Sequence, residues 1–347
     1  MTGERITEST EGLSFYGRSM PLKQNEERVG RMAHLVKLED YISRYESDIH
    51  QYPSQFIRLK RERWKRLHRL WAQANQNADS ALYVEEDWFP EENKTVLQQA
   101  LQKLSGIHKK ETQEPVKTNT GIDAEYEHLI GKSRTALYDF FYYELLQSQL
   151  RWASSSSSEV SVVDSSYRYD SRLRELLRLL PDNYMIFYYP IFKIQQADIQ
   201  LDVLLFSPSE LYCVTYVETP ANTLFEVSSR RFWREFRSKT EHKRLNPLLS
   251  VKRMEDIARS IFQYNSIDFP IKKAVLLPNA LIDNRDFSGN AEMIDHRDYD
   301  QWMGKISNHI SPMKKEQFHA VEALLNKCKT KGYKRSSEVE ANGTYGQ

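Results

Sequence analysis

The stretch QLDVLLFSPSELYCVTYVE, Gln200 to Glu218, decides the fold. Val203 to Phe206 is an apolar run. Ser207-Pro208-Ser209-Glu210 has turn chemistry, because proline presets φ and serine and glutamate are polar. Leu211 to Val217 is a second apolar run, rich in aromatic and β-branched residues. Continuous apolar runs of this length suit strands buried on both faces, so the stretch reads as a hairpin at the centre of a sheet, with layers above and below it. Asp202 opens its first strand and Glu218 closes its second.

Outward from the hairpin, a short amphipathic helix is expected over 170–180, carrying Leu173, Leu176, Leu177 and Leu180. Tyr184 to Phe192 reads as a strand bent at Pro190, and Thr223 to Val227 as another strand. Ser229 to Lys243 reads as a basic, aromatic helix. Pro247 to Tyr264 is a helix with Leu249, Met254, Ile257, Ile261 and Phe262 apolar. Ile271 to Leu277 is a strand ending at Pro278, 291–294 a short strand, and helices follow over 298–309 and 312–329. An early antiparallel hairpin with a later strand after a helix implies an α/β (α+β) fold: a mixed sheet with helices on its faces.

The first half reads differently. Residues 1–31 lack apolar periodicity and are expected to be a disordered tail, with Met1 and Met32 both open as the start. A helix is expected over 38–50, with Leu38, Tyr41, Ile42, Tyr45 and Ile49 on one face. Pro53 then opens a second helix to about Asn77, and the two read as an αα-hairpin. Helix is expected again over 91–105 and 122–152, with a polar linker over 107–120 between them. The run Ser154 to Ser158 reads as a hinge. The expected organisation is a helical N-terminal region (32–153), an α/β domain (159–330) and a disordered tail (331–347).

Composition bounds the function. The 347 residues carry a formal net charge of +1, so a nucleic-acid partner has to be met by a local patch. The hydrophobic fraction of 40% excludes wholesale disorder. Cys213 and Cys328, far apart, form neither a disulfide framework nor a zinc cluster, which points to a reducing cytoplasm. No apolar run approaches membrane-spanning length, so no membrane partner is expected. His50, His68 and His108 lack ligand spacing, and His296 and His309 read as unpaired.

The order of elements over 160–300 resembles the nuclease-related domain (NERD) family, a branch of the PD-(D/E)XK, restriction-endonuclease-like superfamily. Gln200-Leu201-Asp202 looks like that family's Gln-Ile-Asp strand opening, Ser207-Pro208-Ser209 like its turn, and Asn246-Pro247-Leu248 like its later Asn-Pro segment. From Met32 on, the chain resembles bacillus-type NERD-like proteins with a helical N-terminal region. The resemblance implies a restriction-endonuclease-like sheet in which an Asp and a Glu-x-Lys on the next strand hold Mg²⁺ and activate water. Glu and Lys have to stand two apart, because only i and i+2 share a strand face.

The chain departs from that pattern at the chemical positions. Thr215 stands where the Glu is expected, Val217 where the Lys is, and Ser250 where the family often has Gln. Glu218 falls on the opposite strand face from Thr215 by parity, and Glu175 is a further acid on the 170–180 helix. Two roles are open for Asp202: a residual metal ligand, or a strand-end acid paired locally. The candidate catalytic residues are Asp202, Glu175 and Glu218, with Asp202 the candidate metal ligand. No cofactor is expected unless these three acids assemble a rearranged Mg²⁺ site. Two basic stretches are candidate phosphate contacts. One is Arg58 to Arg69, with Trp64 and Trp71. The other is Arg230, Arg231, Arg234, Arg237, Lys239, Lys243 and Arg244, with Phe232, Trp233 and Phe236 interleaved. The alternative in both cases is a solvated charged face over a packed aromatic core. The functions these readings leave are a degenerate nuclease fold binding nucleic acid or protein, an active Mg²⁺-dependent nuclease, and a protein-interaction scaffold acting through the N-terminal helices.

Overall fold

The computed structural model describes residues 30–74, 132–238, 240–284, 290–309 and 311–335. The elements are β1 (His34–Leu38), α1 (Gln51–Ala74), α2 (Arg134–Trp152), β2 (Glu159–Val160), α3 (Ser171–Leu179), β3 (Met185–Tyr188), β4 (Ile191–Ile194), β5 (Ala197–Gln200), β6 (Val203–Phe206), β7 (Leu211–Tyr216), β8 (Thr223–Glu226), β9 (Phe232–Arg237), β10 (Thr240–Leu245), α4 (Leu248–Tyr264), β11 (Ile271–Leu277), β12 (Ala280–Ile282), β13 (Glu292–Asp295), α5 (Tyr299–Ser307), α6 (Lys315–Leu325) and β14 (Tyr333–Lys334). Residues 1–29 of the tail expected over 1–31, the helix over 91–105 and the linker over 107–120 lie outside the described residues.

The central sheet has six strands in the order β1-β3-β6-β7-β11-β13. The hairpin of β6 and β7 takes its two middle places, pairing antiparallel with Val203 opposite Val214 and Phe206 opposite Leu211. Every residue of β6 and the first five of β7 are buried. Burial on both faces explains the unbroken apolar runs: α3 and α5 cover one face through Leu173, Leu176 and Trp302, and α4 covers the other through Val251, Met254 and Ala258. Only β6 runs against the other five strands. The fold is thus mixed α/β, with a mixed sheet and flanking helices, and among the described residues no helix is long and apolar enough to cross a membrane.

The segment expected as a helix over 38–50 is instead the end of β1, a turn and a 3-10 turn at Arg44–Glu46. Glu39 takes the left-handed region (φ 44°) and turns the chain out of the strand. There is therefore no αα-hairpin; only α1 forms, with Pro53 in its first turn, where a missing N–H costs nothing. β1 pairs parallel with β3, so residues before Ser154 share one sheet with residues after it. The Ser154–Ser158 stretch is no loose hinge in its first part: Ser154, Ser155 and Ser156 are buried, and the Ser156 N–H donates to the Glu159 carbonyl at 2.9 Å. At the other end of the chain, Tyr333 and Lys334, expected in a tail, pair with Val160 and Glu159. A buried Lys37 ties these parts together. Its ammonium donates to the Tyr41 carbonyl at 2.7 Å, to Thr330 Oγ1 at 2.9 Å and to Glu46, one acceptor for each of its three protons.

A second sheet, β10-β9-β8-β12, replaces the helix expected over Ser229–Lys243. Here the pattern has period two: Trp233 and Glu235 are buried while Phe232 is exposed and Arg234 half out in solvent.

Candidate functional site

β3, β7, β11 and β13 all end at the edge of the sheet where β6 begins, the place at which open α/β sheets take ligands. Asp202 stands there. Its backbone carbonyl accepts from the Tyr189 N–H at 2.9 Å, fixing the start of β6 against the end of β3. Its side-chain Oδ2 accepts two hydroxyl bonds, from Thr215 Oγ1 at 2.6 Å and from Ser250 Oγ at 2.8 Å. Thr215 points to the α4 side of β7, and Ser250 is the third residue of α4. The carboxylate thus lies at the first turn of that helix, where the backbone dipole favours negative charge. Asp202 is a junction of β6, β7 and α4 made through hydroxyl groups.

The other two candidate acids are elsewhere. Adjacent residues of β7 face opposite ways, so Tyr216 points to the α3 side. Arg172, in the first turn of α3, lays its guanidinium 3.7 Å from the Tyr216 ring centroid and donates to Glu218 Oε1 at 2.7 Å. Glu175 Oε2 is 3.9 Å from Arg172 Nε and accepts from the Tyr299 hydroxyl at 3.2 Å. Burial pushes the Glu175 carboxyl above its usual range, against the opposing pull of Arg172 and the Tyr299 hydrogen bond. Glu175 and Glu218 therefore share Arg172 on one side of the sheet, while Asp202 holds Thr215 and Ser250 on the other. The three acids are not brought together. Among the described residues no group of three His, Cys, Asp or Glu side chains has metal-holding geometry. Between the two clusters sits Tyr189, in the left-handed region at φ 50°, its phenol within the fields of both Asp202 and Arg172.

Three arginines of the second basic stretch are answered by glutamates of β8, β9 and β10. Arg234 donates to Glu226 at 2.7 Å and to Glu241 at 3.0 Å. Arg244 and Arg237 bracket the buried Glu235, whose carboxyl those two guanidiniums hold below its usual range against the cost of burial. Arg230, Arg231 and Lys243 are exposed, with the Arg231 guanidinium 5.6 Å from the exposed Phe232 ring; Lys239 lies outside the described residues. Trp233 is core, as its aromatic character allows, but Phe232 is not. Along α1, Lys60 is wholly buried on Asp182, Arg63 reaches Glu144 at 3.6 Å and Arg58 reaches Glu62 at 3.7 Å. Trp64 is core, stacked on Tyr138 with ring centroids 5.2 Å apart.

Two further groups bear on chemistry. Cys213 is buried and burial raises its thiol, which makes it a poor nucleophile. His309, which reads as unpaired in the sequence, has its Nε2 3.1 Å from Ser209 Oγ at the opposite end of the hairpin; its Nδ1 meets no hydrogen-bond partner among the described residues. A serine–histidine pair with no acid to orient the ring lacks the third part of a triad. The 100-residue separation hid this contact from sequence reasoning.

No protein-family model matches the chain, and no solved structure matches it. The chain is 48% identical over 50 residues to an RNA 2',3'-cyclic phosphodiesterase of Geobacillus stearothermophilus. That match spans 14% of this chain and 16% of the relative, so most of both proteins lies outside it.

Proposed function

We propose that this chain is a nuclease-like fold that has lost its hydrolytic centre and serves as a nucleic-acid-binding module. The observation that carries this reading is the meeting of Asp202, Thr215 and Ser250 at one oxygen. These are the positions at which the NERD resemblance expects Asp, Glu and Gln, and they are 13 and 48 residues apart. Contact between positions picked by that resemblance supports a restriction-endonuclease-like arrangement of β6, β7 and α4. Their chemistry has changed. A threonine hydroxyl spends its proton on Asp202, and Val217, 5% exposed, supplies no ammonium to position or deprotonate water. The relative's name adds one ligand class to test, RNA ending in a cyclic phosphate. A scaffold acting through the aromatics of residues 38–77 is less supported, since Tyr45, Phe56 and Trp64 are buried.

The test is fluorescence anisotropy with labelled single- and double-stranded DNA and RNA, including RNA with a 2',3'-cyclic phosphate end, over a salt series. The reading expects binding that weakens steeply with salt. No binding of any of these at low salt refutes it.

A further inference from the structure

We propose that the sheet end beside Asp202 holds a phosphate group, gripped by Arg172 and shielded in the free chain by Glu218. The proposal rests on the nucleic-acid reading only for the source of the phosphate; the site itself is argued from its own geometry.

Arg172 is built in. Its side chain is 14% exposed, with the guanidinium carbon 3.7 Å from the Tyr216 ring centroid, a contact that holds its direction. A guanidinium held this way keeps its donor fork pre-organised, the arrangement suited to a carboxylate or a phosphate. Its Nη2 is spent on Glu218, whose side chain is 70% exposed. A buried arginine reaching an exposed, rotatable carboxylate holds an acceptor that another anion can replace. Its Nη1 is buried and meets no hydrogen-bond acceptor among the described residues. Nor does Thr219 Oγ1, one residue beyond Glu218. A second arginine reaches the same residue: Arg244 Nη2 is 3.4 Å from the Glu218 carbonyl, while its Nε and Nη2 are both held by Glu235, at 3.0 and 3.3 Å.

The charges agree with a displaceable shield. Arg172, Arg237 and Arg244 face Glu175, Glu218 and Glu235, which cancel in the free chain. Turning Glu218 into solvent frees the Arg172 fork, while Asp202, on the other side of the sheet, stays tied to Thr215 and Ser250. The strained Tyr189 lies between them, and strain of this kind in an aromatic residue collects at ligand sites. A tetrahedral phosphate takes the place of the Glu218 carboxylate on Arg172. Its sources are free phosphate, a terminal phosphate of an oligonucleotide, or a phosphodiester within a strand.

The experiment uses the full chain and the variants Glu218→Gln and Arg172→Gln, with folding checked by circular dichroism. Inorganic phosphate and pyrophosphate are titrated by calorimetry. Oligonucleotides with and without a 5'-phosphate are titrated by anisotropy. Glu218→Gln is expected to bind phosphate roughly two- to fivefold more tightly, the worth of the exposed ion pair it removes. Arg172→Gln is expected to bind about 10- to 100-fold more weakly, the loss of charge-assisted hydrogen bonds. Preference for the 5'-phosphorylated strand identifies a terminal phosphate as the source; equal binding of both strands, with the same response to the variants, identifies an internal phosphodiester. Phosphate binding with these responses and no oligonucleotide binding upholds the site and removes the nucleic-acid reading. Oligonucleotide binding indifferent to both folded variants overturns the site and leaves that reading intact. If Arg172→Gln does not fold, Glu218→Gln alone decides: phosphate affinity unchanged, or absent as in the wild type, overturns the proposal.

Discussion

Removing the methyl-bearing hydroxyl that caps Asp202 tests whether this acid is a structural junction. Thr215 Oγ1 and Ser250 Oγ reach the same carboxylate oxygen at 2.6 and 2.8 Å. A hydrogen bond to a charged group contributes about 1.5–3 kcal/mol net, and a buried hydroxyl left without a partner costs about 1–3 kcal/mol. Thr215 is 8% exposed, so its hydroxyl finds little water when the acceptor goes, while the half-buried Ser250 finds some. Asp202→Ala should therefore cost about 2–4 kcal/mol and Thr215→Val, which keeps the shape, about 1–2 kcal/mol. The double variant should cost less than the sum, because Thr215→Val removes the very group that Asp202→Ala orphans. The coupling expected is about 1–2 kcal/mol. Urea unfolding of the four proteins at neutral pH, followed by far-ultraviolet circular dichroism, measures it. A coupling under about 0.5 kcal/mol, the limit for independent sites, refutes the junction.

Other predictions concern how the flanking elements are held. Burial, helped by nearby Lys60, depresses the His34 imidazole from 6.5 to about 3, so between these values the unfolded chain binds the proton and the native chain does not. Stability should then fall as pH drops below 6.5, by roughly 2 kcal/mol at pH 5, and His34→Asn should lack that slope in urea titrations at pH 7.5 and 5. Lys60→Met leaves Asp182, among the described residues, with the Met32 N–H, and should cost about 1–3 kcal/mol, less than a fully buried pair because Asp182 is 29% exposed; the urea midpoint reports it. Glu235→Ala removes the acceptor shared by Arg237 and Arg244 and should loosen the β9–β10 hairpin. Faster hydrogen exchange confined to 232–245 is the expected signature, and unchanged exchange there counts against it.

The parts of the fold that show in the sequence are those where one physical signal dominates. The apolar runs of 203–206 and 211–217 mark the centre of the sheet because burial on both faces demands unbroken runs. Strand parity alone separated Thr215 from Glu218, and the structure places them with different partners. β1 was masked because Leu38, Tyr41, Ile42, Tyr45 and Ile49 satisfy a helical period by chance. The strand itself is five buried residues that include His34 and Lys37, and polar residues inside a buried run blur any hydropathy pattern. β9 and β10 were hidden by charge: Arg234, Arg237 and Arg244 read as a basic helix face until the glutamates that answer them are seen across the hairpin. Ser154 to Ser158 shows the limit of composition, since the small hydroxyls of its first three residues pack into the core instead of loosening the chain. Nothing local in sequence announces that Arg172 will meet Tyr216, 44 positions away; only α3 packing on β7 brings them together.

The most direct test of a nuclease-like fold without hydrolysis is one set of reactions in which binding and cleavage are read together. Labelled DNA and RNA are incubated with the purified chain in Mg²⁺, Mn²⁺ or EDTA, with Asp202→Ala in parallel. The account predicts salt-sensitive binding and intact strands in every tube. Metal-dependent cleavage that disappears in Asp202→Ala contradicts it, and makes Asp202 part of a working catalytic centre.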